Sequence, residues 1–286
     1  MKLMFKYVLL TSVNLQLSCQ SNLSNKIDVI ADMPKLLKES SGIENIEGSP
    51  NFWLINDAGN SNDLFEIDDV GNIVRVVEVK NAKNKDWEDL ATDGKNEIFI
   101  GDFGNNENDR QNLRIYSVSV NEIIDNVVEA EKVSFYFEDQ FKFPPKKKHR
   151  NFDVEAFVYM NGYFYLFTKN RSSHFNGVTK LYKIPNIKGK HAAKLIGEFI
   201  TCNDSKTCLV TGAALSKNNK KLVLLTHNKL FEFTNFIKDD FFNGDVKEIN
   251  LDHNSQKEGI CFKDDLLFVT DEFSKNTGGN LYKIKN

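Results

Sequence analysis

A pair of apolar strands recurs five times along the 286 residues of this chain. Each copy begins with a short polar start and an apolar strand. An aromatic-rich second strand follows, ending in Asp, Asn, Thr or Lys, and then a third strand of the Leu-Tyr-Lys-Ile type. The copies start at Ser41-Gly42-Ile43, Glu88-Asp89-Leu90, Glu155-Ala156-Phe157, Thr211-Gly212-Ala213 and Glu258-Gly259-Ile260. Because internal repeats of this size fix the architecture, the sequence predicts an all-β fold, a β-propeller.

The outer strands predict how many blades the propeller has. Four copies continue into a fourth strand, at 74–79, 133–137, 195–199 and 246–249, but the fifth ends at Asn286 without one. The segment Ile27-Asp28-Val29-Ile30 is a strand without a blade, and pairing it with the last copy would close the ring and cover both sheet edges. We therefore expect five blades closed by the N-terminal strand. Six is the alternative, if the long interval between Glu88 and Glu155 contains a degenerate blade around 127–137.

Bulk composition agrees with one large β domain over residues 27–286. Aromatic residues make up 12% of the chain and include 23 Phe, as is typical of sheet proteins. The 37 Lys and Arg residues against 40 Asp and Glu residues give a net charge of −3, which argues against a nucleic-acid partner. No apolar run reaches the roughly 20 residues that a spanning helix needs.

The first 19 residues have the pattern of a bacterial export signal. Lys2 and Lys6 precede a short apolar stretch, and Ser18 stands directly before Cys19. This resembles a lipoprotein signal, in which Cys19 becomes the lipidated first residue and 20–26 form a tether, although Gln16 stands where an aliphatic residue is usual. We expect an exported protein, anchored by lipid in the bacterial outer membrane or periplasm. A soluble secreted protein, or a poor signal with an incidental Cys, is the alternative.

Two further cysteines agree with export. Cys202 and Cys208 flank a polar, hairpin-like tip, where a disulfide would stabilise the fold by roughly 2 kcal/mol in an oxidising compartment. Two free thiols in a loop are the alternative. Cys261 lies within an apolar strand and is expected to be a buried, unreactive thiol.

Polar residues recur where the first strand of each copy begins and the second ends. In a propeller these two positions open on the same face, around the mouth of the central channel. Gathering carboxylates there is unfavourable unless a cation compensates them, and oxygen-only ligands suit Ca²⁺. The purely structural alternative is that the acids cap turns or accept backbone N–H groups of neighbouring blades. The positions are Glu88, Glu155, Glu258, Asp57, Asp102 and Asp271 for the acids, and Asn56, Asn105, Lys169 and His227 for the other ligand-binding candidates.

Two arginines follow second-strand ends on the same face. The planar guanidinium groups of Arg110 and Arg171 suit a carboxylate or phosphate ligand, and a salt bridge to a neighbouring Asp is the alternative. The sequence contains no Gly-x-Ser-x-Gly elbow, no His-Glu-x-x-His and no phosphate-binding glycine loop. Any hydrolysis would therefore use metal-activated water or a carboxylate or His base.

The segments Ile55-Asn56-Asp57-Ala58-Gly59-Asn60, Asp86-Trp87-Glu88-Asp89-Leu90-Ala91 and Ile100-Gly101-Asp102-Phe103-Gly104-Asn105 resemble exported bacterial β-propeller proteins, many of them lipoproteins. More distantly, the layout is similar to the calcium propellers of the SMP-30, gluconolactonase and paraoxonase type. That resemblance implies a channel metal held by Glu88, Glu155, Asp102 and Asp271.

The sequence supports two hypotheses about function. The first is a monomer, anchored to the membrane by its lipid, whose Ca²⁺-assisted site binds or hydrolyses a small ester, lactone or phosphoester. The alternative is a non-catalytic surface scaffold for a protein or glycan.

Overall fold

The computed structural model describes residues 26–274 and 277–285. The predicted signal segment 1–19 with Cys19, and residues 20–25 of the predicted tether, lie outside the described residues. Within these two ranges, no helix has the length and apolar character needed to cross a membrane.

Almost all regular structure in the described residues is β-strand, as the alternating apolar pattern predicts. The helical elements are four short 3-10 turns, at Lys35–Leu37, Val120–Glu122, Lys147–His149 and Phe241–Asn243. In chain order, the strands are β1 (Ile27–Asp32), β2 (Ser40–Glu44), β3 (Phe52–Asn56), β4 (Asp63–Ile67), β5 (Ile73–Val79), β6 (Trp87–Thr92), β7 (Glu97–Asp102), β8 (Leu113–Ser119), β9 (Val127–Val128), β10 (Glu131–Phe137), β11 (Asp153–Met160), β12 (Tyr163–Lys169), β13 (Val178–Pro185), β14 (Gly189–Ile200), β15 (Gly212–Leu215), β16 (Lys221–Leu225), β17 (Lys229–Thr234), β18 (Asp245–Asn250), β19 (Lys257–Lys263), β20 (Leu266–Asp271) and β21 (Asn280–Ile284).

Each sequence repeat forms an antiparallel meander. The first is β2-β3-β4-β5, with the short β9 added in parallel to β5. The second, β6-β7-β8-β10, joins the third, β11-β12-β13-β14, through a parallel pairing of β10 with β14, so the two make one eight-stranded sheet. The fourth is β15-β16-β17-β18. The fifth is β19-β20-β21, and β1 from the N-terminus completes it.

The N-terminal strand pairs where the sequence predicts. β1 runs antiparallel to β21, with Ile27 opposite Ile284 and Asp32 opposite Asn280. The segment proposed as a degenerate sixth blade is divided between two other sheets: 127–128 is β9, on the edge of the first meander, and 131–137 is β10 of the second.

The first strands of the five meanders lie side by side around a centre. β2 contacts β6, β6 contacts β11, β11 contacts β15, β15 contacts β19, and β19 contacts β2. The apolar core fills the spaces between neighbouring sheets. One such cluster lies between the second and third meanders and stacks Phe99 edge-on to Phe164 and Phe103 edge-on to Phe157, with ring centroids 4.9 and 5.1 Å apart. Aromatic pairs of this geometry stabilise beyond the area that they bury.

The loop between β14 and β15 contains the disulfide. Cys202 and Cys208 are bonded to each other, with Cα atoms 5.6 Å apart. The Thr201 hydroxyl donates a hydrogen bond to the Cys208 carbonyl at 2.6 Å, which holds the loop against the strand end. Cys261 is a free thiol, fully buried in β19.

Candidate functional site

The mouth of the central channel is shaped by a repeated irregularity of the innermost strands. The strand register shifts between Trp87 and Asp89, between Val154 and Ala156, and between Lys257 and Gly259. The residue that is left over each time is Glu88, Glu155 or Glu258. A bulge of this kind turns a side chain away from the sheet face that it would otherwise occupy. The first repeat has the same shift at Ser41, between Ser40 and Gly42.

Two of the bulged glutamates belong to compact groups of carboxylates. The carboxylate oxygens of Asp57, Asp86 and Glu88 lie within 4.8 Å of one another, and those of Glu88, Asp153 and Glu155 do the same. Glu88 is common to both groups. These distances allow one cation to contact all three acids of a group.

Two acids of the second group, Asp153 and Glu155, are paired with protein cations. Lys169, only 7% exposed, donates to Glu155 at 2.9 Å. Arg171 donates to Asp153 at 2.5 Å and to Glu155 at 2.7 Å. Burial alone would raise the pKa of Glu155, but Lys169 and Arg171 lower it below its ordinary value. Glu155 is therefore ionised, and its oxygens are occupied by donors from the protein.

The first group has much weaker compensation. Among the described residues, Glu88 has no hydrogen bond or ion pair, although it is only 4% exposed. Asp86 has a distant partner, Arg110, whose Nη1 lies 3.8 Å away. Burial, and then the neighbouring acids, raise the pKa of Asp86 to about 6 and that of Glu88 well above its ordinary value. The pKa of Asp57 is raised mainly by burial. The environment of this group therefore disfavours the ionised form of its three carboxylates.

Gly104 provides the space in which these carboxylates lie. A Cβ atom at this position would be 1.9 Å from Glu88 Oε1 and 2.5 Å from Asp86 Oδ2. Any other residue would displace both acids. The Gly in Asp102-Phe103-Gly104-Asn105 thus serves the close approach of the backbone to the carboxylate group.

Asp102 and Asn105 lie beside this group with partners of their own. Asp102 pairs with Arg110 at 2.9 Å and with Arg114 at 3.7 Å. Asn105 donates to the Phe152 carbonyl at 3.0 Å and accepts from the Arg110 backbone N–H at 2.8 Å. Arg110 and Arg171 are therefore both engaged in ion pairs with Asp residues, the alternative stated for them above. Asp102 remains a predicted ligand, but it is outside the two compact groups.

The fifth repeat contributes a different set of partners. Asp271 accepts from the Tyr282 hydroxyl at 2.7 Å and from the Asn280 N–H at 2.8 Å, so it joins strand ends. Glu258 lies 3.9 Å from His227 Nε2 at the mouth. Burial raises the pKa of Glu258 to about 7 and lowers that of His227 to about 4, so the imidazole is neutral at neutral pH.

The remaining predicted residue, Asn56, donates to the Leu36 carbonyl at 2.8 Å, and its buried Oδ1 has no hydrogen-bond partner among the residues that the structure describes. Asp86 and Asp153 are absent from the sequence-based prediction. A repeated spacing points to both, because each stands two residues before a bulged glutamate, in Asp86-Trp87-Glu88 and Asp153-Val154-Glu155.

The raised pKa values predict that stability falls with pH in the absence of metal. Burial raises the pKa of Glu258 to about 7 and those of Glu272 and Glu44 to about 8, so the folded state holds protons that the unfolded chain releases near pH 4.5. Where the folded state binds more protons, stability decreases as pH rises. The lowered pKa values of His227 and His253 act in the opposite direction, but only up to about pH 6.5.

We therefore expect the unfolding temperature, measured in chelator, to fall between pH 6.5 and 8. The double variant Glu258→Gln, Glu272→Gln should make this slope shallower, and Glu44 accounts for part of the slope that remains. A rising unfolding temperature over the same interval would contradict the burial of these acids.

Comparisons with known proteins address the fold. No family model matches the chain, and no curated protein matches it. Among solved structures, the chain is similar to the major Malassezia sympodialis allergen Mala s 1, at 13% identity and a TM-score of 0.56, over 87% of this chain and 93% of that one. It is also similar to the PQQ-bound aldose sugar dehydrogenase of Streptomyces coelicolor, at 9% identity and a TM-score of 0.51, over 91% and 98%. A weaker likeness is to the nidogen/laminin complex, at 11% identity and a TM-score of 0.45 over 82% and 72%.

The first two likenesses are far below the identity at which function transfers, so they show the fold alone. The fold is a β-propeller.

Proposed function

We propose that the chain is a five-bladed β-propeller whose channel mouth binds Ca²⁺ through Asp57, Asp86 and Glu88. The closed cycle of contacts among the innermost strands β2, β6, β11, β15 and β19 supports the blade count. The fourth strand of each meander is the one most distant from that cycle, as in a propeller blade.

The observation that carries the metal proposal is the state of Glu88. It is almost fully buried, has no hydrogen bond or ion pair among the described residues, and belongs to both compact carboxylate groups. Leaving a buried carboxylate without a partner is costly, and a cation would remove that cost. Three carboxylates with only oxygen donors suit a hard ion, and Ca²⁺ tolerates irregular coordination better than Mg²⁺. Asp57 and Asp86 are partly exposed, which gives the ion a path from solvent.

The proposed activity is hydrolysis of a small ester, lactone or phosphoester at this mouth. Bound Ca²⁺ would supply Lewis-acid polarisation of the substrate oxygen. His227 is neutral at neutral pH, and among the described residues its Nε2 is buried without a hydrogen bond, so it is a base able to accept a proton from water. Lys169 and Arg171 keep Glu155 ionised and fixed in place, so they define one wall of the mouth.

Calcium is expected to raise the thermal stability of the purified chain. One site at 100 times its Kd stabilises by about 2.7 kcal/mol, which for a domain of this size corresponds to roughly 5–10 °C in unfolding temperature. Glu88→Gln should abolish this shift because it removes the shared ligand, and Gly104→Ala should do so because it displaces the carboxylates. The measurement is thermal unfolding with Ca²⁺ or with chelator, at pH 7.5.

The matched control is Glu129→Gln, an exposed glutamate away from the mouth, which should keep the full response. An equal shift in Glu88→Gln would place the ion elsewhere, and no shift in the unaltered chain would refute the metal site. Hydrolysis is then tested with aryl esters, lactones and phosphoesters. Calcium binding without any turnover would favour a scaffold instead.

A further inference from the structure

The opposite end of the central channel contains a cavity of about 770 Å³. Residues at the C-terminal ends of the innermost strands line it, and every repeat contributes. Examples are Glu44, Thr92, Met160, Leu215 and Phe262. The carboxylates proposed for Ca²⁺ lie where the same strands begin. The cavity therefore forms a second site, whose chemistry does not depend on the calcium proposal.

Part of the cavity wall is apolar. Val158 and Met160 are buried there, and Tyr159, Leu215 and Phe262 are half-buried and line the same space. Apolar surface that faces a cavity of this size gains free energy when a ligand covers it. An occupant with an apolar body therefore fits this wall.

Five acids and two lysines, Lys95 and Lys217, line the cavity, so its lining is net negative. Glu47 at the rim pairs with Lys217. Asp93 accepts the backbone N–H groups of Lys95, Asn96 and Glu97, so it holds a turn. Asp264 and Asp265 form another turn, with φ angles of 50° and 62°.

Glu44 differs from these acids. Its Oε2 accepts the Asn45 N–H at 2.9 Å, and among the described residues no donor reaches its Oε1. The groups beneath it offer no cation: Asp89 accepts the backbone N–H groups of Leu90 and Phe157, and Cys261 is a buried thiol. Lys263 donates to the Pro50 carbonyl. Burial raises the pKa of Glu44 to about 8, so its charged form lacks compensation.

We propose that this cavity binds a primary amine carrying an apolar chain, with its ammonium group on Glu44. The ammonium supplies the donor that Oε1 lacks, and the apolar chain covers Tyr159, Leu215 and Phe262. A metal ion fits less well, because a hard cation requires about six oxygen ligands. Of the other acids in this cavity, Glu47 is paired with Lys217, Asp93 holds a turn, and Asp264 and Asp265 are exposed to solvent.

The test compares three probes that share one alkyl chain: n-hexylamine, n-hexanol and hexanoate. Binding is measured by calorimetry at pH 8.5, where Glu44 is mostly ionised and the amine is protonated. Hexylamine is expected to bind at least tenfold more tightly than hexanol, and hexanoate not at all. Glu44→Gln, a change of nearly equal volume, should weaken hexylamine binding at least tenfold and leave hexanol binding unchanged.

Two controls locate the effect. Glu47→Gln removes a rim carboxylate of the same cavity, and Glu88→Gln removes one at the other mouth; both should retain hexylamine binding. Equal affinity for the amine and the alcohol would overturn the proposal. So would unaltered amine binding in Glu44→Gln with a normal circular dichroism spectrum.

Discussion

Replacing Lys169 by Met is expected to lower the free energy of unfolding by about 3–5 kcal/mol. The ammonium is 2.9 Å from Glu155, and both side chains are almost completely buried. Burial would lower the pKa of Lys169, yet Glu155 and then Glu258 raise it above its ordinary value, so the ion pair outweighs desolvation. Without the ammonium, Arg171 is the one cation paired with Glu155 in the part of the chain that the structure describes, and the acids Glu88 and Asp153 lie close by. For a domain of this size, the unfolding temperature should fall by about 10 °C.

A second substitution separates the lost charge from the lost packing. If the cost comes from the uncompensated carboxylate, Glu155→Gln in the Lys169→Met background should restore most of the stability, because replacing both partners removes the buried charge. The matched control is Lys229→Met, which breaks the exposed pair with Glu248 and should cost less than about 1 kcal/mol. Equal losses for Lys169→Met and Lys229→Met, measured by urea unfolding, would show that water reaches the mouth and screens its charges.

The fold was predictable from the sequence because its signals are local. A polar start recurs at a fixed place in each repeat, and in three of the five it is a glutamate, Glu88, Glu155 or Glu258. Alternating apolar residues follow it. The sequence has an unpaired strand at residue 27, and its last repeat lacks an outer strand. Together these two features predict that the first strand pairs with the last repeat, and β1 does pair with β21. The same local pattern predicts that acidic residues lie together at one face of the propeller, where Glu88 and Glu155 are found.

The charge balance of the mouth was not predictable in this way. Asp102 and Glu88 both look like ligands in the sequence, but Arg110 pairs with Asp102, whereas Glu88 has no hydrogen bond or ion pair within residues 26–274 and 277–285. That difference depends on the geometry of the loop around Gly104, which the spacing of residues in the sequence does not predict. Asp86 and Asp153 could have been found from their repeated position before the bulged glutamates. The far cavity gives no repeated polar signature, because the strand ends that line it are mostly apolar.

Removing residues 1–32, and with them β1, is expected to have the other large effect. Five residue pairs join β1 to β21, and Ile27 is buried with Tyr282 and Ile284. About five ladder hydrogen bonds of about 1 kcal/mol each, with about 2 kcal/mol for burying Ile27, give a loss of roughly 7 kcal/mol. This is comparable with the total stability of many domains. The loss also leaves β21 as an open edge, which promotes association between chains.

The truncated chain should therefore unfold at a much lower temperature and elute as larger species in size-exclusion chromatography. A chain that lacks only residues 1–25 is the control and should behave as a monomer. A synthetic peptide of residues 26–34, added in excess, should pair with β21 and recover the monomer, because an exposed edge accepts a strand in trans. If the truncated chain is as stable as the control, closure between the first and last strands contributes little, and the ring is held by contacts among the innermost strands.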